Sequence, residues 1–340
     1  MLYTNYLHCM FKKDPLQIIA FQSYGTKTHL YLRGRALEDE SIDLSKKGFF
    51  SLLRNTWKRF ETDEVRHETL KIQLPNEQVL YLDTNSEGYY LVDEQTNDLT
   101  DSINEEGWLN YEIAYDVFKD KLINLENRFP GEMLIPSESS KFGVISDIDD
   151  TLLETGVVSK LKWKVLVNSL FKHAENRMAF AGAATIYSKL HQGISGEEAN
   201  PIFYVSNSPW NLYRYLEYFL KHNNFPKGPI LLRDFRTPFD KTKKRKVSHK
   251  EHEIKNIIKT YPNKKFVLIG DAGEHDIDIY LDVVKHYPDR IKAIYIRTIN
   301  HKKRMLRIQR LIKDYTNVPV LLFQESKEVL VHARKLRLIY

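Results

Sequence analysis

Short runs in which apolar and polar residues alternate fill the first part of the chain, from Leu16 to about Ala114. Alternation with a period of two is typical of strands that bury one face. The clearest runs are H-L-Y-L-R-G from His29, E-T-L-K-I-Q-L-P from Glu68, Q-V-L-Y-L-D from Gln78 and G-Y-Y-L-V-D from Gly88. A stretch with helical spacing, from Phe49 to Phe60, interrupts them. We therefore predict a smaller, mainly-β, sandwich-like domain over residues 1–135.

The pattern changes after the polar run at 136–140, which we interpret as a linker. Apolar runs then alternate with segments of helical spacing, and this succession predicts an α/β domain with a doubly wound parallel sheet over residues 136–340. The predicted strands are 142–146, 201–206, 229–232, 265–269, 291–296 and 319–323, and the predicted helices are 161–173, 183–191, 209–221, 249–261, 276–286 and 302–313. An insert at about 156–200 is long enough for a small helical cap or flap. Ligands of such sheets bind beyond the carboxyl ends of the strands, so we expect the functional residues there.

Length and composition exclude several classes of protein. A chain of 340 residues is long enough for two domains of about 150 residues. With 42% hydrophobic and 28% charged residues it is typical of packed globular proteins, not of disordered or fibrous ones. No apolar run approaches the roughly eighteen residues of a membrane-spanning helix, and the first residues do not form a signal-peptide pattern. Cys9 is the only cysteine. We therefore expect a cytoplasmic protein, with peripheral membrane association as an open alternative.

Charge is distributed unequally between the two predicted domains. Residues 1–135 contain 15 Lys and Arg against 23 Asp and Glu, and residues 136–340 contain 36 against 22. The net charges are −8 and +14, which together give the overall +6. The excess in the second domain indicates an anionic partner such as phosphate groups, a phospholipid surface or nucleic acid, although a solvated Lys-rich surface would have the same composition.

Chemically active side chains follow several predicted strands. Asp147 and Asp149 come directly after the first strand of the second domain, and two such carboxylates can hold a divalent cation or divide nucleophilic and acid/base roles. Ser206 ends the next strand in Y-V-S-N-S-P-W, where a hydroxyl and free N–H groups suit a phosphoryl group. Lys250 begins a helix, and an acidic turn, G-D-A-G-E-H-D, spans 270–276. The combination points to phosphate chemistry more strongly than any one motif.

In this order the four motifs resemble those of the haloacid dehalogenase superfamily. The segments S-D-I-D-D-T, Y-V-S-N-S-P-W-N-L-Y, G-P-I-L-L-R-D-F and V-L-I-G-D-A-G-E-H-D are similar to those of phosphatidate phosphatases of the actin-patch-protein type, densely from Phe142 to Thr298. The resemblance implies a haloacid-dehalogenase-like fold and a Mg²⁺-dependent phosphatase that converts phosphatidate to diacylglycerol and phosphate. Ala272 and Thr298 depart from the family, which often has Ser and Asp there.

Individual roles follow from the same resemblance. Asp147 would be the nucleophile that forms an aspartyl-phosphate, and Asp149 the general acid and base. Ser206 and Lys250 would bind the transferring phosphoryl oxygens. Mg²⁺ would be held by Asp147, the backbone carbonyl of Asp149 and Asp271. Asp276 would support the metal from behind these direct ligands or through water.

Substrate contacts and partners are predicted more loosely. Thr151, Asn207, Arg233 and Arg297 are candidate substrate-binding residues, with the two arginines placed for a phosphate or a headgroup. The expected partner is a phospholipid substrate at an anionic membrane surface. No nucleic-acid-binding module is recognisable, so no nucleic acid is expected. The protein partners of the β domain stay an open question.

Alternatives to the lipid phosphatase stay open. A phosphatase of nucleic-acid ends or of small molecules would use the same catalytic residues, and an adaptor could retain the fold without catalysis. A basic amphipathic segment at 160–172 packs in the core or lies on a membrane. The runs Lys241–Lys246 and His301–Arg310 are solvated surfaces or phospholipid contacts.

Overall fold

The computed structural model describes residues 15–38, 64–117, 122–148, 182–233 and 248–340. Contacts divide the chain into two compact units, residues 1–135 and 136–340. The predicted helical stretch from Phe49 to Phe60 lies outside the described residues, as does most of the predicted cap insert.

Seven described strands build the first unit. They are β1 (Leu16–Thr26), β2 (His29–Glu38), β3 (Thr69–Gln73), β4 (Val79–Asp83), β5 (Tyr89–Gln95), β6 (Trp108–Tyr115) and β7 (Phe129–Leu134). Their alternating side chains bury one face, as in β3, where Leu70 and Ile72 are fully buried between more exposed neighbours. The mainly-β character predicted from the sequence is confirmed.

These strands form one sheet in the order β4-β3-β6-β7-β1-β2-β5, and the two edge strands come close to each other, so that the sheet is nearly closed. The predicted sandwich of two sheets is therefore corrected to a single nearly closed sheet. Its neighbouring strands are antiparallel except for β1 and β7, which are parallel. Alternation along a strand determines which residues are buried but not which strand pairs with which, so it could not reveal this closure.

A six-stranded parallel sheet forms the centre of the second unit. Its strands are β8 (Gly143–Asp147), β9 (Ile202–Pro209), β10 (Ile230–Arg233), β11 (Phe266–Asp271), β12 (Ile291–Arg297) and β13 (Val320–Phe323). The described helices between and after them are α1 (Ala183–Gln192), α2 (Tyr213–His222), α3 (His249–Thr260), α4 (Asp276–His286), α5 (Lys302–Ile312) and α6 (Ser326–Lys335). Every residue of β8 and β11 is buried, as expected for a sheet covered on both faces. The predicted parallel sheet is confirmed.

The order of strands in the second sheet indicates where a ligand site is expected. The order is β10-β9-β8-β11-β12-β13, so the chain moves outward from β8 to β10 and then returns to β11 on the other side of β8. The reversal creates a switch point between β8 and β11, and ligands bind at the carboxyl ends of strands at such a point. Within the described part of the chain, no helix is both long and apolar enough to cross a membrane.

Candidate active site

Two aspartates end the two strands that flank the switch point. Asp147 is the last residue of β8 and Asp271 the last residue of β11, and both are almost fully buried. The strands pair in parallel, with Ile269 beside Ser146. Both carboxylates therefore lie at the same edge of the sheet, as the sequence motifs predict.

Lys250 brings a buried positive charge to this edge. It lies in the first turn of α3, which begins after the N-cap Ser248, and only 1% of its surface is exposed. Its Nζ lies 2.9 Å from Oδ1 of Asp147, 3.0 Å from Oε2 of Glu274 and 2.5 Å from Oδ1 of Asp276. Burial acts to lower the pKa of Lys250, but the three carboxylates outweigh it and raise this pKa well above the usual range. Lys250 is therefore a cation in this site.

Three carboxylates surround that ammonium group. One oxygen each of Asp147, Glu274 and Asp276 lies within 4.8 Å of the other two. We call these residues the acidic triad. Burial raises the pKa of Asp276, and Lys250 partly offsets that rise. When all three are ionised, one ammonium leaves two negative charges uncompensated, and hard divalent cations bind such carboxylate oxygens. The triad therefore fits a divalent metal ion, which would share its oxygens with Lys250.

Asp271 shapes the turn from which two triad residues emerge. Its Oδ1 accepts hydrogen bonds from the backbone N–H of Gly273 and, at 2.9 Å, from that of Glu274. Its own N–H donates to Oδ2 of Asp276 at 3.1 Å. Among the described residues Asp271 is not part of the acidic triad, and its assignment as a metal ligand remains a prediction.

Gly270 allows Asp276 to approach the strand. A Cβ atom at this position would lie 2.4 Å from Oδ2 of Asp276, closer than real Cβ contacts. A side chain here would therefore displace the carboxylate from its place beside β11.

Glu274 was not among the site residues predicted from the sequence. Its Oε2 accepts hydrogen bonds from Nζ of Lys250 and, at 3.1 Å, from Nδ2 of Asn207. It thus connects the end of β9 with α3 and with the turn after β11. An acidic residue three positions after a strand-end aspartate was the available signal, but only the turn geometry shows that it points back into the site.

Ser206 and Asn207 lie at the carboxyl end of β9, the strand that pairs with β8. Ser206 is fully buried, and its Oγ accepts a hydrogen bond of 2.8 Å from the N–H of Ser208. The structure thus brings Asn207 into contact with the triad and places Ser206 on the adjacent strand.

The two predicted arginines differ in position. Arg297 ends β12 and is paired in register with Asp271. Arg233 ends β10 and is exposed, two strand spacings or about 10 Å from β8. The predicted residues Asp149 and Thr151 lie outside the described residues, as do the basic segments 160–172 and 241–246.

The residues around the switch point fall within a recognisable family segment. Residues 142–298 match the family model "Phosphatidate phosphatase APP1, catalytic domain". This segment is similar to an APP1-type catalytic domain. The predicted resemblance is thereby confirmed, and the acidic triad, Lys250, Ser206 and Asn207 all belong to the APP1-type segment.

Curated relatives match a somewhat longer stretch. Phosphatidate phosphatase APP1 of Saccharomyces cerevisiae is 33% identical over 215 residues, which is 63% of this chain and 34% of the yeast protein. The Schizosaccharomyces pombe protein "Uncharacterized protein C29B5.04c" is 28% identical over 217 residues, or 64% of this chain and 34% of its own length. The chain thus spans about a third of the length of these two relatives.

A solved structure described as "The active site of a carbohydrate esterase displays divergent catalytic and non-catalytic binding functions" aligns with 89% of this chain and 97% of its own. Its identity is 10% and its TM-score 0.22, and it carries no information about the fold of the APP1-type domain.

Proposed function

We propose that this chain is a Mg²⁺-dependent phosphatase with a haloacid-dehalogenase-like catalytic domain, and that it hydrolyses phosphatidate to diacylglycerol and inorganic phosphate. The observation that carries the proposal is the contact between Asp147 and Lys250 at the switch point of an APP1-type segment. A nucleophilic carboxylate beside a buried cation is the arrangement that phosphoryl transfer needs.

Asp147 is the proposed nucleophile. One of its carboxylate oxygens attacks the phosphorus atom of the monoester and forms an aspartyl-phosphate while the bond from phosphorus to the lipid oxygen breaks. Attack by an anion on an anionic phosphate is opposed by repulsion. The ammonium group of Lys250 reduces this repulsion because it lies 2.9 Å from the attacking group and is shielded from water.

Asp149 is the proposed proton carrier. It donates a proton to the leaving alkoxide of diacylglycerol, and then removes a proton from the water that attacks the aspartyl-phosphate. Asp147 is released as a carboxylate and phosphate leaves. Its position in the sequence, two residues after the nucleophile, supports this assignment.

Side chains from neighbouring strands would orient the phosphoryl oxygens. Ser206 and Asn207 come from the end of β9, on one side of the nucleophile's strand. Arg297 comes from the end of β12, beyond Asp271 on the other side. Arg233, at the end of β10, and Thr151, which lies outside the described residues, are further candidates. Ser206, Asn207 and Arg297 thus come from strands on both sides of Asp147, and this placement supports their assignment to the phosphate.

The metal would be held by carboxylates at the same edge. Asp147 and Asp276 belong to both candidate ligand sets. The acidic triad completes its set with Glu274. The set implied by the family resemblance contains Asp149 and Asp271 instead. Bound Mg²⁺ would supply positive charge that stabilises the transferring phosphoryl group. The two negative charges of the ionised triad that Lys250 leaves uncompensated support this assignment.

Phosphatidate is the proposed substrate because the yeast relative is named a phosphatidate phosphatase and because the second unit is strongly basic. Lipid phosphates are presented at anionic surfaces, where each nearby basic residue adds about 1 kcal/mol of attraction.

Phosphate release by the purified full chain tests the proposal. We expect Mg²⁺-dependent hydrolysis of a generic aryl phosphate, and competition by phosphatidate vesicles that exceeds competition by 3′- or 5′-phosphorylated oligonucleotides. Stronger competition by the oligonucleotides would replace phosphatidate with nucleic-acid ends. Absence of phosphate release from every substrate would favour an adaptor that retains the fold without catalysis.

A further inference from the structure

The helix that follows β12 has an unusual composition. Helix α5 reads K-K-R-M-L-R-I-Q-R-L-I, with five basic residues and no acidic residue. Of its residues only Ile308 is buried, whereas α4, a helix of equal length, buries five. Most of α5 is therefore in contact with solvent.

Two arginines fix the inner side of α5 to the active-site region. Arg304 donates a hydrogen bond to the carbonyl oxygen of Gly273, in the turn that carries Glu274. Arg307 binds Asp278 of α4 through two contacts, of 3.1 Å from Nη1 to Oδ2 and 2.5 Å from Nη2 to Oδ1. The helix is thus held against the turn that positions the acidic triad.

The outer side combines cations with exposed apolar groups. Lys302, Leu306 and Arg310 are spaced four apart and lie along one face, beside Lys303. All three cations are exposed, Leu306 is 43% exposed, and Leu311 at the flank of this face is 41% exposed. We call Lys302, Lys303, Leu306 and Arg310 the outer face of α5.

The outer face begins at the same edge of the sheet as the candidate active site. Because α5 follows β12 in a parallel sheet, its first residues lie at the carboxyl edge, the edge where Asp147 and Asp271 end their strands. A surface that touches Lys302 and Lys303 is therefore on the side from which substrate enters.

We propose that the outer face of α5 docks this chain on an anionic phospholipid bilayer, with the active-site edge toward the membrane. The proposal rests on the proposed function for its lipid substrate. Basic residues are attracted by anionic headgroups, and Leu306 inserts at the boundary with the acyl chains. A nucleic acid would bind the cations but gives no reason for an exposed leucine between them.

Sedimentation with vesicles tests the docking without requiring turnover. The full chain is mixed with phosphatidylcholine vesicles with and without phosphatidylserine, a lipid that a phosphomonoesterase does not hydrolyse. We expect binding that requires phosphatidylserine and weakens as salt is added, since exposed charges are screened over about 8 Å at physiological ionic strength.

The variant K302E/K303E/R310E reverses the three outer cations, and K259E/K265E/K285E is its matched control. The control residues are also exposed lysines. Lys259 lies at the end of α3, Lys265 just before β11 and Lys285 at the end of α4, so all three are at the amino edge of the sheet. We expect the first variant to lose at least about tenfold in vesicle affinity and the control to retain most of its affinity. Leu306→Ser should weaken binding without changing its salt dependence.

Circular dichroism melting of each variant establishes that it is folded. Equal binding by the wild type and K302E/K303E/R310E would overturn the proposal, as would an equal loss in the control. If K302E/K303E/R310E lost binding to a single-stranded oligonucleotide but kept its vesicle binding, the proposal would also be overturned, in favour of nucleic acid. Because phosphatidylserine binding is measured without hydrolysis, failure of the docking and failure of the proposed phosphatase activity give different results.

Discussion

The ammonium group of Lys250 lies 2.9 Å from the carboxylate of Asp147, although the two residues are 103 positions apart and both are buried. Helix α3 delivers the lysine and strand β8 delivers the aspartate. A buried ion pair costs desolvation energy, and well-packed apolar residues would give a fold of similar stability. The charges at this place are therefore better explained by chemistry than by folding.

Replacement of the nucleophile should abolish turnover. Asp147→Asn keeps the size of the side chain but removes the anionic oxygen that attacks phosphorus, and we expect phosphate release to fall by at least about 10²–10⁴. Asp149→Asn should have a similar effect because it removes the proton carrier. Asp289→Asn, on an exposed turn before β12, is the matched control and should retain full activity. Activity of Asp147→Asn near that of the wild type would exclude the aspartyl-phosphate mechanism.

Removal of the internal cation should make the fold depend on metal. Lys250→Met leaves the acidic triad without its buried counter-charge, a change that typically costs about 3–5 kcal/mol. Because Mg²⁺ then no longer competes with the ammonium group, it should raise the melting temperature of this variant more than that of the wild type. Thermal melting with and without Mg²⁺ measures both effects, with the exposed Lys265→Met as control. Equal Mg²⁺-induced shifts in all three proteins would show that Lys250 and the metal do not share ligands.

Calorimetry can separate the two ligand sets. If the acidic triad holds Mg²⁺, Glu274→Gln should lower its affinity by about tenfold or more, since one charged ligand is lost. The family resemblance instead makes Asp271 a ligand, so Asp271→Ala should lose affinity while the apolar strands maintain the fold. A loss in Glu274→Gln with no loss in Asp271→Ala would remove Asp271 from the ligand set, and the reverse result would remove Glu274.

Much of the site could be predicted because a parallel sheet gathers strand ends at one edge. Asp147 and Asp271 were identified from the apolar runs that precede them, and β8 and β11 prove to be neighbours. Lys250 was identified only from the order of the four motifs and from the family resemblance, and its place at the start of a helix also puts it at that edge. The pattern of elements carried this information without any knowledge of side-chain contacts.

Other features depend on geometry that has no period in sequence. Glu274 enters the site because the turn after Asp271 folds back toward Lys250, and an acidic residue in a turn otherwise suggests solvent exposure. Helix α6 was not predicted; it begins at a capping box in which Glu325 and Glu328 bond each other's backbone. The nearly closed first sheet also escaped prediction, because the parallel pairing of β1 with β7 joins segments more than a hundred residues apart.

Gly270 should be intolerant of even the smallest side chain. A Cβ here would lie 2.4 Å from Oδ2 and 2.8 Å from Cβ of Asp276, so Gly270→Ala must displace a triad residue or the strand that carries it. Overpacking of this kind costs about 1–3 kcal/mol, and the displaced carboxylate would no longer reach Nζ of Lys250 at 2.5 Å. We therefore expect a lower melting temperature together with weaker Mg²⁺ binding by calorimetry. A variant with unchanged Mg²⁺ affinity, whatever its melting temperature, would show that the position of Asp276 beside β11 does not matter for the metal.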